Sequence, residues 1–173
     1  MPERGPASAR LNAHGQPSCG LVLGFDVGAR RIGVAVGSAF TSPRSLDVIQ
    51  HRSASVFDWS RLDRLFAQWQ PTTLIVGDPL TLDGHDQPAR VLAHRFAAAL
   101  HRRYNRAVLC VDERLSSMDA ARAFADGRAK GTRRRRDSQK LDALAAVVIL
   151  ERWLTDPSQG IALTPSPLSE PSS

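Results

Sequence analysis

Short apolar runs and amphipathic stretches follow one another in an order that predicts a layered α/β domain. Leu21–Asp26 and Ile32–Val36 are apolar runs of strand length, separated by Val27-Gly28-Ala29-Arg30-Arg31, which predicts a hairpin. Ser45–Gln50 predicts a third strand. Asp58–Trp69 sets Leu62, Leu65, Phe66 and Trp69 at helical spacing, and Pro71 ends the pattern. Leu74–Val76 is a brief apolar strand closed by Gly77. Gln87–Arg103 places Leu92, Phe96, Ala99 and Leu100 on one helical face, and Ala107–Val111 predicts a fifth strand. Ser116–Ala125 opens on Ser116-x-x-Asp119, a capping-box pattern, and a final helix spans about Ser138 to Leu154.

Three strands in succession, then helices alternating with strands, predict a mixed five-stranded sheet whose first three strands are antiparallel, with helices on both faces. That is the ribonuclease H-like plan. Prolines mark the ends of the compact unit: Pro2, Pro6 and Pro17 precede it, and Pro157, Pro165, Pro167 and Pro171 follow it, among Gly and Ser. Such segments bury too little apolar surface to offset their ordering entropy. The expected organisation is an unstructured tail over 1–19, one domain over 20–154 and an unstructured tail over 155–173.

Charge changes the picture next. The 173 residues carry 23 basic and 17 acidic side chains, a net of +6, and only Lys130 and Lys140 are lysine. Arginine is the planar, bidentate phosphate binder, so this excess favours a nucleic-acid partner. Cys19 and Cys110 have no metal-binding or disulfide spacing, and no apolar run nears the ~20 residues that cross a bilayer. The expectation is a cytoplasmic protein without a membrane partner. The histidines (His14, His51, His85, His94 and His101) are scattered and read as surface residues.

Three places along the chain carry acids in positions suited to chemistry. Asp26 ends the first strand next to Gly28, where it serves either as an Asx-turn residue or as an acid exposed at the sheet's functional edge. Asp112 and Glu113 follow the fifth strand; neighbours in extended chain point to opposite faces, so one of them at most shares a cavity with Asp26, and the pattern alone does not choose. Asp142 interrupts Leu141–Leu150, otherwise apolar all round, either as a helix-start acid favoured by the dipole or as a site residue. Clustered carboxylates are tolerable mainly around a hard divalent cation such as Mg²⁺.

The motifs that hold these acids resemble those of a known family. Gly24-Phe25-Asp26-Val27-Gly28-Ala29-Arg30-Arg31-Ile32-Gly33-Val34-Ala35 looks like the first motif of the YqgF family, small bacterial ribonuclease H-like proteins also called RuvX. Ile75-Val76-Gly77-Asp78-Pro79-Leu80 with Gly84 resembles the second, Asp112-Glu113-Arg114-Leu115-Ser116-Ser117 the third, and Leu141-Asp142-Ala143-Leu144-Ala145-Ala146 with Ile149-Leu150 the fourth. The four stand in order from about Leu21 to Leu154. The resemblance implies a carboxylate triad of Asp26, Glu113 and Asp142 that binds Mg²⁺ or Mn²⁺, with Glu113 favoured over Asp112. It also implies a nuclease that matures the 5′ end of pre-16S ribosomal RNA or, by analogy with RuvC, cleaves Holliday junctions. Position 78 departs from the family, which is usually apolar there; Asp78 is expected to face solvent.

The arginines fall into two groups. Arg30, Arg31 and Arg114 adjoin the proposed acids and suit phosphate contacts, and Arg133-Arg134-Arg135-Arg136 occupies a loop before the last helix, either solvated or acting as a phosphate clamp. The leading expectation is thus a metal-dependent nuclease acting on structured RNA, as a monomer or weak homodimer. A Holliday junction resolvase and a non-catalytic RNA- or ribosome-binding assembly factor are the alternatives. A kinase-like ATPase reading of Asp26-x-Gly28 is disfavoured, because those enzymes close two such domains around a nucleotide.

Overall fold

A computed structural model describes residues 20–52, 56–79, 88–113 and 135–163. Six strands and three α-helices make up the described residues: β1 (Val22–Val27), β2 (Arg31–Ser38), β3 (Thr41–Gln50), α1 (Trp59–Trp69), β4 (Thr73–Asp78), α2 (Pro88–Tyr104), β5 (Ala107–Asp112), α3 (Arg135–Thr155) and β6 (Gly160–Ala162). The sheet order is β3-β2-β1-β4-β5-β6. β2 pairs antiparallel with both β1 and β3, β4 runs parallel to β1 and to β5, and β6 returns antiparallel on β5. The ribonuclease H-like mixed sheet is therefore present with six strands instead of five.

Two apolar layers form because strand neighbours alternate between faces. Leu23, Phe25 and Val27 of β1, with Ile32, Val34, Leu74, Val76 and Val108, pack under α1 and α2. Val22, Ala35, Ile75, Leu109 and Val111 face the other way, against Ala146, Ile149, Leu150 and Trp153 of α3. α1 starts where the Asp58 carboxylate accepts the Arg61 amide at 3.1 Å, and ends at Gln70, whose φ of 45° is left-handed.

The α3 face of β1 and β2 is floored by small residues, which sets how closely the helix approaches. A Cβ built on Gly24 would lie 3.2 Å from the Ala146 carbonyl oxygen, and one on Gly33 would collide with the carbonyl of Asp142. Glycine at 33 is what lets α3 rest on the first residues of β2 at Asp142.

Two expectations change here. The tail expected from residue 155 is structured as far as 163: Asp156 caps a short 3₁₀ turn (Pro157–Gln159), and Gly160–Ala162 pair with β5. A three-residue strand in a Pro/Ser/Gly-rich segment has no periodicity to read; pairing with a preformed edge creates it. Arg135 and Arg136 begin α3 instead of belonging to the loop before it. The predicted 116–125 helix, Arg114, Arg133, Arg134 and residues 1–19 and 164–173 lie outside the described residues. No described helix is long and apolar enough to cross a membrane.

Candidate active site

Asp26, Glu113 and Asp142 come from three separate elements to the α3 side of the sheet. Asp26 lies between Phe25 and Val27, both in the layer under α1 and α2, so alternation turns it toward α3. The same alternation through Cys110, on the α2 side, and Val111, on the α3 side, sends Asp112 toward α2 and Glu113 toward α3. The Glu113 carboxyl lies over Gly77 of β4, where a side chain would meet Glu113 and Ile149 of α3. Its amide donates to the Asp78 carbonyl at 3.0 Å, which extends the β4–β5 ladder by one residue.

The electrostatics of this pair are those of a shared proton. Burial and then the Asp142 charge push the Asp26 carboxyl up to about 6, against the opposing effect of a hydrogen bond from Glu113. Glu113 is pushed up to about 8, first by burial and then by the charge of Asp26, with smaller effects from Asp78 and Asp112. Glu113, the weaker acid, holds the proton and donates it to Asp26. Asp142 is also raised, by burial, against the opposing pull of Arg31.

Arg31 Nε stands 3.1 Å from Asp142 Oδ2, and that oxygen is buried without a hydrogen-bond donor aligned on it. Of the expected phosphate contacts, Arg31 is therefore engaged with an acid of the cluster. Arg30 is exposed at the β1–β2 turn. Beneath that turn, Nε2 of the buried His51 lies 2.8 Å from the Gly28 carbonyl oxygen. His51 is thus a fastener of the turn, contrary to the surface position expected for it.

The donor set suits a hard divalent cation: three carboxylates, no nitrogen or sulfur, one buried carboxylate oxygen lacking a donor, and a proton that a cation would displace. Among the described residues, no three acidic, His or Cys side chains already ring a single ion position. Asp142 is instead ion-paired with Arg31.

Asp78 is the residue most misjudged from sequence. Expected in solvent, it is buried on the α2 side of the sheet, with Arg90 Nε at 3.0 Å from Oδ1 and His94 Nε2 at 3.0 Å from Oδ2. Arg90 and His94 are one helical turn apart on α2, a spacing visible in the sequence but uninformative until β4 supplies the acid. Cys110, beneath them, is a buried thiol pushed up to about 11 by burial and the Asp78 charge.

Comparison with known proteins places this geometry. A model of the RuvX family, described as Holliday junction resolvase, matches residues 20–156. A Xylella fastidiosa protein named "Putative pre-16S rRNA nuclease" is 58% identical over 145 residues, covering 83% of this chain and 93% of that protein. A Xanthomonas axonopodis protein of the same name is 55% identical with the same coverage. In fold, the chain is similar to Thermus thermophilus RuvC, with a TM-score of 0.50 at 14% identity, and to the same protein in complex with Holliday junction substrate, at 0.51 and 15%. Each alignment covers 83% of this chain and 99% of the RuvC chain. With four motifs in order, a six-stranded mixed sheet and a family match over residues 20–156, this chain belongs to the RuvX family of nucleases.

Proposed function

We propose that this chain is a metal-dependent endonuclease that processes the 5′ end of pre-16S ribosomal RNA in the cytoplasm, with Asp26, Glu113 and Asp142 as its catalytic acids. The observation that carries the reading is the proton shared by Asp26 and Glu113 beside a third, half-buried carboxylate whose Oδ2 is buried, an arrangement costly for stability and suited to cation binding. Mg²⁺ or Mn²⁺ bound by these acids would supply a water of lowered pKa and polarise the phosphoryl oxygen.

The residues of the chain do the rest. Asp26 and Glu113 would hold the cation in their ionised forms, without the proton they share, and the Gly77 floor keeps the Glu113 carboxyl over the end of β4. Asp142 exchanges its contact with Arg31 for its place among the acids, which releases the Arg31 guanidinium toward a backbone phosphate next to the scissile bond. Arg30, on the exposed turn beside it, contacts a flanking phosphate. Arg114, Arg133, Arg134, Arg135 and Arg136 are further phosphate contacts in the same reading.

Cleavage of a pre-16S 5′-leader transcript with Mg²⁺, Mn²⁺ or chelator tests the proposal, with a matched four-way DNA junction in parallel. The expected result is divalent-dependent cleavage of the leader, abolished in a folded Asp26→Asn variant. Cleavage of the junction alone would make this a resolvase. Binding without cleavage, unchanged when all three acids are replaced, would make it an assembly factor.

A further inference from the structure

The buried Asp78–Arg90–His94 cluster has no part in the mechanism above, and its construction does not suit a device for stability. A buried ion pair usually does no better than apolar residues of similar volume. Asp78 nevertheless ends a strand whose other side chains include Leu74, Ile75 and Val76, all fully buried. Its carboxylate is enclosed, while the Arg90 and His94 side chains remain 30% and 39% exposed. An acid sunk in the sheet thus fixes a cation at the surface, as a site that must present a guanidinium in one orientation requires.

Its location completes the argument. Asp78 is the register partner of Asp112, and its carbonyl accepts the Glu113 amide, so the cluster is one backbone residue from the candidate catalytic acids. Alternation along β4 turns Gly77 to the acidic face and Asp78 to the opposite one.

We infer that Arg90 is a phosphate contact for the nucleic-acid strand on the α2 side of the sheet end, with Asp78 and His94 as the positioning residues that hold its guanidinium there. The inference rests on the nuclease reading and assigns one substrate contact within it.

The test is equilibrium binding of the full-length protein to the 5′-leader transcript in chelator, across a salt series. Loss of one phosphate contact lowers the slope of log affinity against log salt by about 0.7 for single-stranded RNA. Arg90→Gln is expected to show that loss with a several-fold weaker affinity, and Arg90→Lys to restore the slope. His94→Gln is expected to raise KM for cleavage at unchanged kcat. A folded Arg90→Gln protein with the wild-type slope overturns the inference while leaving the nuclease reading intact. If Arg90→Gln does not fold, His94→Gln decides: a wild-type KM in that variant overturns it. Wild-type protein that binds neither the transcript nor the junction overturns the nuclease reading, and this inference with it.

Discussion

Glu113 occupies the space in which a side chain on Gly77 would begin: a Cβ there collides with Glu113 Oε1 and comes within 2.7 Å of its Cδ. Gly77→Ala should therefore displace the carboxyl while leaving the sheet in place, because the far end of a side chain yields more easily than backbone. Misplacing a reacting group by about 1 Å costs roughly 10²-fold in rate. The expected outcome is a fall of that order in kcat with a melting temperature near wild type, read from cleavage kinetics and thermal unfolding on one preparation. Wild-type kcat in Gly77→Ala would remove Glu113 from the reaction.

Gly33→Ala should fail differently. Its Cβ meets the carbonyl of Asp142, so α3 itself must move off β2. Overpacking of this kind costs about 1–3 kcal/mol, and urea unfolding should show a lower midpoint at unchanged slope.

The shared proton gives stability a definite pH dependence. Asp26 and Glu113 ionise at about 6 and about 8 in the folded chain, against 3.8 and 4.5 as ordinary carboxylates. Between those values the folded chain binds more protons than the unfolded chain, so stability falls as pH rises and levels off above about 8. Denaturation in chelator should show a progressive loss of stability from acidic to mildly alkaline pH. Glu113→Gln should flatten the upper part of that curve, and Mg²⁺ should offset the loss by stabilising the ionised acids. A stability that rises with pH over this window would contradict the proton-sharing pair.

Removal of residues 157–173 should destabilise the domain, whereas removal of 164–173 leaves every described contact intact. Gly160 packs on the buried Trp153, where a Cβ would come within 2.8 Å of Nε1, and the Leu163 amide donates to the Val108 carbonyl at 3.1 Å. Uncovering Trp153 and the β5 edge should cost a few kcal/mol. Comparison of the two truncations by thermal unfolding checks this, and equal melting temperatures would return the domain boundary to residue 154.

The parts of the fold legible in the sequence are those whose burial is written locally. β1 and β4 are covered on both faces, so they read as unbroken apolar runs, and α1 shows its stripe because one face alone is buried. β3 was legible only from Ser45: Thr41 to Arg44 form an edge on which polar side chains face out, so their pairing with β2 leaves no hydrophobic signature. β6 was invisible for the reason of length. The acids are legible as types at strand and helix ends, and the family resemblance names their triad, but the residue pattern alone leaves Asp112 and Glu113 open: that choice depends on which layer Cys110 and Val111 join. Asp78 was misplaced because Arg90 and His94, which make its burial tolerable, arrive from an element 12 and 16 residues downstream.

The close seat of α3 on Gly24 and Gly33 also bears on when the enzyme becomes an enzyme. Asp26 belongs to the first strand and Asp142 to the last helix, so the cluster depends on some of the most distant contacts in the chain. Domains form cooperatively once their long-range partners are available, and a nascent chain emerges in order from its N-terminus. A chain still being translated through residue 134 therefore holds Asp26 without Asp142. Under the proposed function, hydrolytic competence waits for α3, the element that carries Asp142.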